Sequence, residues 1–166
     1  MMTRPIFGPA LAFALVLGLA ACGGSQAGEG AEAAKAHMAK NARKDGVVTL
    51  PSGVQYEIVR SGPAEGLKPG PHDEVKVHYE GRLVDGEVFD SSYERGVPAA
   101  MPLQALIPAW IEVLQLMRPG DEWLITVPPE MGYGERGQGP IPPDSVLIFR
   151  IELIDVLPAP GRVQQG

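Results

Sequence analysis

The sequence predicts an α+β domain in which a curved antiparallel β-sheet wraps around one short α-helix, with a helical connector before it. Three observations lead to this prediction. The segment 106–120 has helical spacing and is too apolar for a surface helix. Several flanking segments alternate apolar and polar residues with a period of two. The 21 glycines and 17 prolines suit the many turns of an antiparallel sheet.

Residues 1–21 are predicted to be a signal peptide. Arg4 supplies a positive charge, and the apolar run that follows is shorter than the roughly 20 residues of a comfortable membrane span. The run ends in Leu19-Ala20-Ala21-Cys22, which resembles a bacterial lipoprotein signal whose cleavage leaves Cys22 as a lipid-modified N-terminus. Because Cys22 is the only cysteine, it has no disulfide partner in this chain. The alternative is an ordinary secretory signal with a chance cysteine.

Residues 22–45 are predicted to form a tether and a short helical connector. Gly23 to Gly30 is polar and rich in glycine, as flexible linkers are. Glu29 to Lys44 is rich in alanine, with acidic residues early and basic residues late, which favours a helix. Since Met38 is the only large apolar side chain in this stretch, we expect a solvated helix.

Alternation predicts the strands of a domain over residues 46–157, and residues 158–166 are predicted to be a flexible tail. The first strand includes Val54 to Ile58, and the clearest one is Val75 to Leu83, where Lys76, His78, Glu80 and Arg82 face away from the core. Asp85-Gly86 is a hairpin turn signal, and Val88-Phe89 begins the return. Trp123 to Val127 and Val146 to Val156 alternate in the same way. We therefore expect an antiparallel sheet of four strands, with a fifth near Met101 to Leu103.

The central helix is predicted from its spacing and its termini. Pro108 suits a first helical position, and Arg118-Pro119-Gly120 ends the helix after about three turns. The apolar residues predicted to share one face are Ile107, Trp110, Ile111 and Leu114. A helix with so much apolar surface must be covered by the surrounding strands.

Composition argues against several classes of function. The formal net charge is −6 and no basic run is present, so nucleic acid is not an expected partner. The histidines His37, His72 and His78 are scattered and have no metal-ligand spacing. No catalytic serine or cysteine motif and no glycine-rich phosphate loop is found, so neither metal nor cofactor is expected.

Two long loops, Asp90–Pro102 and Pro128–Ser145, are the candidate functional segments, because loops of this length in a compact domain are usually functional. Aromatic residues come from separate segments around them: Tyr79, Phe89, Trp110, Tyr133 and Phe149. Each of these, taken alone, is most simply a core residue.

Three long stretches together resemble the FKBP-type peptidyl-prolyl cis-trans isomerases. They are VHYEGRLVDGEVFDSSYERG (77–96), LIPAWIEVLQLMRPGDEW (106–123) and PPEMGYGERGQGPIPPDSVLIFRIELI (128–154). A fourth, GVVTLPSGVQYEIVRSG (46–62), is similar to the macrophage infectivity potentiator (Mip) branch of that family. The resemblance covers residues 46–157, and it implies an antiparallel sheet wrapped around a short helix.

The resemblance also implies a pocket for the proline ring of a peptide. Its catalytic residues would be Tyr79, Phe89, Asp90, Ile107, Trp110, Tyr133 and Phe149, and its substrate-binding residues would be Arg95, Leu106 and Ile141. Trp110 would form the floor and the two phenylalanines the walls, while the backbone N–H of Ile107 would bind a substrate carbonyl. The alternatives are that Asp90 caps the turn at Ser91-Ser92 and that Arg95 is a solvated charge.

The implied function is isomerisation of X-Pro bonds in unfolded or partly folded proteins outside the cytoplasm, without a cofactor. The family resemblance adds macrolides of the FK506 and rapamycin type as ligands. Lipid at Cys22 would hold the protein on the periplasmic face of the outer membrane or at the cell surface. One alternative is a lipid-anchored chaperone or client-binding module with weak or no isomerase activity, and another is a purely structural surface lipoprotein.

This sequence departs from the family pattern at a few places. Ala109 stands where the family usually has glycine before the tryptophan, and Ala99 where small eukaryotic members have an aromatic residue. Gln138-Gly139 brings no histidine to the second long loop. No counterpart of the long dimerisation helix of the Mip branch is expected from this sequence.

Overall fold

A computed structural model of the chain describes residues 26–161. The predicted signal peptide, the predicted lipidation site Cys22 and residues 162–166 lie outside the described residues. The elements are α1 (Gln26–Asn41), β1 (Val48–Thr49), β2 (Gln55–Arg60), β3 (Glu74–Leu83), β4 (Val88–Ser91), β5 (Ala99–Pro102), α2 (Pro108–Leu114), β6 (Glu122–Val127) and β7 (Leu147–Leu157). Neither helix within residues 26–161 has the length and apolarity needed to span a membrane.

The strands described in residues 26–161 form a seven-stranded antiparallel sheet. Their order is β1-β2-β6-β7-β3-β4, and β5 also pairs with β3. The β3–β7 ladder runs from Glu74 opposite Leu157 to Leu83 opposite Leu147. The fold class predicted from the sequence is therefore confirmed. The predicted number of strands was too low, because β1 has only two residues and shows no period, and β4 was predicted only as the start of a hairpin return.

The core lies between α2 and one face of the sheet. Trp110, Val113 and Leu114 of α2 are buried in a cluster with side chains from the long strands. The alternation predicted for β3 and β7 is confirmed, since their inward residues are buried in turn along each strand. We call the opposite face, which carries His78 and Arg150, the outer face.

The central helix is shorter than predicted. α2 ends at Leu114, and the N–H groups of Leu116 and Met117 then donate to Val113 and Leu114 in tight turns. These turns place Met117 fully inside the core, and the following Arg118-Pro119 does not favour continuing the helix. The predicted apolar face was also incomplete: Ile107 and Ile111 are only partly buried, whereas Ala109 and Val113 are fully buried.

The predicted connector helix is present, and most of its described side chains are exposed or half-buried, but it also contacts the sheet. α1 begins at Gln26, inside the predicted glycine-rich tether, and ends at Asn41, before the predicted end, where it contacts the outer face of the sheet. Asn41 Nδ2 donates to Gln55 Oε1 at 2.8 Å and to Thr126 Oγ1 at 3.2 Å. Gln55 Nε2 in turn donates to the carbonyl of Met38 at 2.9 Å. Because these contacts are polar, the apolar pattern of the helix did not reveal them.

Candidate functional site

A cavity of about 610 Å³ lies beside the N-terminal end of α2. It is lined by Tyr79, Phe89, Asp90, Met101, Ala105, Leu106, Ile107, Trp110, Tyr133, Gln138, Gly139, Pro140, Ile141 and Phe149. All of the predicted site residues except Arg95 are in this set. The fold thus brings together residues from β3, β4, β5, α2, β7, the segment before α2 and the second long loop.

Aromatic rings form the inner surface of the cavity. Trp110, which is 4% exposed, meets Tyr79 and Phe149 edge to face, with ring centroids 5.1 and 5.3 Å away. Phe89 meets Phe149 in the same way at 5.6 Å. Edge-to-face contacts are favoured by the charge distribution of aromatic rings. The result is an apolar floor and wall that can accept a ring-shaped apolar ligand group.

The start of α2 leaves a backbone donor at the cavity. Ile107 is the extended residue before the helix, with Pro108 at the first helical position. Its carbonyl accepts from the N–H groups of Trp110 and Ile111 at 3.0 and 3.1 Å. Its own N–H has no acceptor among residues 26–161. Since Ile107 lines the cavity, this N–H remains available to a ligand carbonyl.

A charged group borders the aromatic surface. The carboxylate of Asp90 accepts hydrogen bonds from the Tyr79 hydroxyl and from the guanidinium of Arg95. Arg95 Nη2 also donates to Tyr79 Oη at 2.9 Å. Arg95 therefore does not line the cavity but binds two residues that do. Its side chain is 46% exposed, yet it is paired and not the free solvated charge that the sequence left open.

The electrostatics of the site keep its groups in one protonation state. Burial acts to raise the pKa of Asp90, but hydrogen bonds from Tyr79 and Arg95 and the charge of Arg95 outweigh it, so the pKa lies below its ordinary value. Burial and the bond to Asp90 raise the pKa of Tyr79. Burial and the charge of Asp90 raise the pKa of Tyr133. At neutral pH the carboxylate is charged and both phenols keep their protons.

The depressed pKa of Asp90 predicts a pH-dependent stability. A carboxylate with a lowered folded-state pKa stabilises the fold above its unfolded pKa, about 3.9, and this contribution is lost as the pH falls through the lower folded value. Wild type should therefore exceed Asp90→Asn in free energy of unfolding by a constant margin above about pH 4, and the margin should shrink below it. Denaturant titrations of both proteins at several pH values measure it. A margin that vanishes near neutral pH contradicts the assignment.

The second long loop supplies residues that sequence reasoning missed. It forms the short 3-10 turns Pro129–Met131 and Gly134–Arg136, and Gln138 and Ile141 then exchange backbone hydrogen bonds of 2.9 Å. These bonds hold Pro140 at the cavity edge. Of the other missed residues, Met101 had a signal in the alternation of the predicted fifth strand. Ala105 had none beyond its place next to Leu106.

Ala109, the residue that departs from the family pattern before the tryptophan, does not form part of the cavity. Ala109 is fully buried in the core and does not line the cavity.

In the described part of the chain no group of three or more histidine, cysteine, aspartate or glutamate residues could hold a metal ion. The chemistry available here is apolar contact, backbone and phenol hydrogen bonding, and one fixed negative charge.

Comparisons with known proteins agree with this arrangement. A family model described as FKBP-type peptidyl-prolyl cis-trans isomerase matches residues 66–154, and one described as the domain amino terminal to it matches residues 20–58. The FKBP-type 22 kDa peptidyl-prolyl cis-trans isomerase of Escherichia coli is 48% identical over 122 residues, which are 73% of this chain and 58% of that protein. The outer membrane protein MIP of Legionella longbeachae is also 48% identical over 122 residues, 73% of this chain and 52% of that protein. The chain thus spans little more than half the length of these relatives.

One solved structure is matched by this chain over almost the whole length of the solved protein. The crystal structure of a peptidyl-prolyl cis-trans isomerase from Pseudomonas syringae matches with a TM-score of 0.75 and 34% identity. The match covers 81% of this chain and 98% of that one.

Proposed function

The chain belongs to the family of FKBP-type peptidyl-prolyl cis-trans isomerases, and we propose that it accelerates rotation about X-Pro bonds in unfolded or partly folded proteins outside the cytoplasm. One observation carries this proposal: an apolar cavity with aromatic walls lies next to a backbone N–H that has no acceptor within the described residues. The proline ring would enter the aromatic cavity. The carbonyl next to it would bind the N–H of Ile107.

Such a site needs no covalent chemistry. Amide resonance gives the X-Pro bond a rotation barrier of about 20 kcal/mol, and uncatalysed exchange takes tens of seconds or longer. In the twisted transition state the amide loses conjugation and charge separation, so an apolar site favours it over the more polar planar state. The aromatic rings of Trp110, Phe89 and Phe149 would supply this apolar environment. The catalytic gain comes from binding the twisted amide more tightly than the planar one.

The polar groups of the site would orient the peptide. Ile107 would fix one carbonyl, and the protonated hydroxyl of Tyr133 would donate to the same stretch of peptide. Asp90 and Tyr79 would set the geometry and the electrostatic field beside the rotating bond. Because rotation makes and breaks no bond to hydrogen, these two residues would transfer no proton.

The test is NMR exchange spectroscopy on a short Ala-Leu-Pro-Phe type peptide with catalytic amounts of the protein. Wild type should accelerate cis–trans exchange. The double variant Phe89→Ala and Asp90→Ala removes one wall and the fixed charge, and it should lose the acceleration. Addition of FK506 should suppress the wild-type rate, since we propose that the macrolide occupies the same cavity.

The matched control is Val88→Ala, which truncates the neighbouring, 40% exposed residue of β4 outside the cavity. It should keep the wild-type rate. No acceleration by folded wild type would refute the isomerase proposal. The cavity would then hold proline-containing segments without turnover, which is the client-binding alternative.

We also propose that lipid at Cys22 anchors the protein on the periplasmic face of the outer membrane or at the cell surface. Support comes from the predicted signal sequence, from the position of the single cysteine and from the relative that is named an outer membrane protein. Stable attachment requires more than one acyl chain, so Cys22 would carry several. Because Cys22→Ser removes the residue that would carry the lipid, it should move the protein from the membrane fraction to the soluble fraction of cells. Unchanged fractionation, with no acyl mass on wild type, would refute the anchor.

A further inference from the structure

The turn after β4 brings Arg95 to the site although the turn itself is exposed to solvent. Glu94, Arg95, Gly96 and Val97 all have open surfaces, and the chain joins no further strand until Ala99. The position of the Arg95 guanidinium on Asp90 and Tyr79 therefore depends on what holds this turn. Apart from the bonds of Arg95 itself and a 3.3 Å bond from the Glu94 N–H to Ser91 Oγ, the side-chain contacts of the turn lie on the outer face of the sheet, away from the cavity.

Ser92 is the first of these contacts. It is fully buried, and its Oγ lies 2.8 Å from Tyr79 N, 3.2 Å from Tyr79 O and 2.9 Å from His78 Nδ1. With the His78 tautomer that carries a hydrogen on Nδ1, the Ser92 hydroxyl accepts from that N–H and from the Tyr79 N–H and donates to the Tyr79 carbonyl, so its hydrogen-bonding capacity is filled. This set ties the start of the turn to the strand residue that carries the site phenol.

Tyr93 is the second contact. Its ring stacks on the imidazole of His78, with centroids 4.7 Å apart and planes inclined by 14°. Arg150 lies on the ring as well, with its Cζ 5.7 Å from the centroid. Arg150 is held by a hydrogen bond to Glu122, whose side chain is 8% exposed and also faces Arg60. The Tyr93 ring thus rests on a preformed surface made by β3 and β7.

We propose that Tyr93 and His78 are positioning residues of the site: their stack on the outer face holds the turn so that Arg95 reaches Asp90 and Tyr79 on the other side. Neither side chain lines the cavity, so both act through other residues. The inference rests on the proposed isomerase function for its consequence in catalysis. Its structural part, the placement of Arg95, stands by itself.

The test compares two substitutions of Tyr93 in the full chain. Tyr93→Phe keeps the ring, and Tyr93→Leu keeps apolar bulk without an aromatic face. The interaction energy of a ring stack with a cation on the ring corresponds to about a tenfold change in an equilibrium constant. Because we propose that this energy keeps Arg95 on Asp90 and Tyr79, Tyr93→Leu should lower kcat/KM for the peptide about tenfold, while Tyr93→Phe should stay near wild type. His78→Asn keeps an N–H donor for Ser92 but removes the ring, and it should behave like Tyr93→Leu.

A second readout separates positioning from general stability. The guanidinium N–H signals of Arg95 in NMR spectra should be distinct in wild type and Tyr93→Phe, and averaged with solvent in Tyr93→Leu. Val97→Ala, a truncation of a 59% exposed residue in the same turn, should change neither signal nor rate. Loss of the stack should also lower the melting temperature of Tyr93→Leu and His78→Asn by a few degrees, so rates and spectra are compared per folded molecule, well below that temperature.

Two outcomes would overturn the inference. Unchanged Arg95 signals and an unchanged rate in Tyr93→Leu would show that the stack holds nothing. Equal losses in Tyr93→Phe and Tyr93→Leu would assign the effect to the hydroxyl and not to the ring. If wild type itself shows no exchange activity, the proposed function fails, and the Arg95 signals alone still decide whether the stack positions the turn.

Discussion

Replacing Gly81 with alanine should lower the exchange activity about a hundredfold, because it displaces the aromatic walls of the cavity. A Cβ at this position would lie 2.6 Å from Cε2 and Cζ of Phe89 and 2.7 Å from Cε1 of Phe149. The backbone cannot retreat, since Gly81 pairs with Asp90 of β4 on one side and with Phe149 of β7 on the other. The rings must therefore move. Overpacking of this kind also costs about 1–3 kcal/mol in the free energy of unfolding.

Two further variants make this result interpretable. Glu80→Ala, at the next position of β3 on the outer face, should leave the exchange rate unchanged. Adding Phe89→Leu to Gly81→Ala removes ring atoms that meet the new methyl, so it should recover part of the stability but not the activity. NMR exchange and denaturant unfolding measure both quantities. Wild-type rate and stability in Gly81→Ala would mean that the rings are free to shift and that their packing does not define the site.

Replacing Trp110 with alanine should remove the floor of the cavity and reduce exchange to the uncatalysed rate. The side chain is almost completely buried and contacts both Tyr79 and Phe149. Truncation of a buried tryptophan to alanine typically costs about 3–5 kcal/mol in the free energy of unfolding. A loss of activity could therefore reflect unfolding alone, and a control of equal cost is needed.

Trp123 provides that control. It is 5% exposed, stacks on Tyr56 at a centroid distance of 4.4 Å, and does not line the cavity. Trp123→Ala should lose a similar amount of stability but keep its rate per folded molecule, when both variants are assayed at low temperature and corrected for the folded fraction. Equal rates per folded molecule would contradict a role for Trp110 in the site.

Some features could be predicted because their signals are local. The strand β3 shows its inward and outward faces in ten consecutive residues, and Pro108 marks the start of α2 within one turn. The docking of α1 had no such signal. Asn41 contacts Thr126, which is 85 positions away, and the contact is polar, so neither periodicity nor propensity indicates it. The end of α2 at Leu114 likewise depends on burying Met117 against the sheet.

By itself, the sequence determined the fold class, the order of the main elements and the aromatic residues available for a site. Apolar spacing within a segment is enough to specify which face of that segment is buried. Only the tertiary structure decided that Arg95 binds Asp90 and Tyr79, that Tyr93 rests on His78, and that a side chain at Gly81 would displace the rings of Phe89 and Phe149. Those contacts arise from the register of β3 against β4 and β7, which is set by the packing of the whole core and not by any one segment.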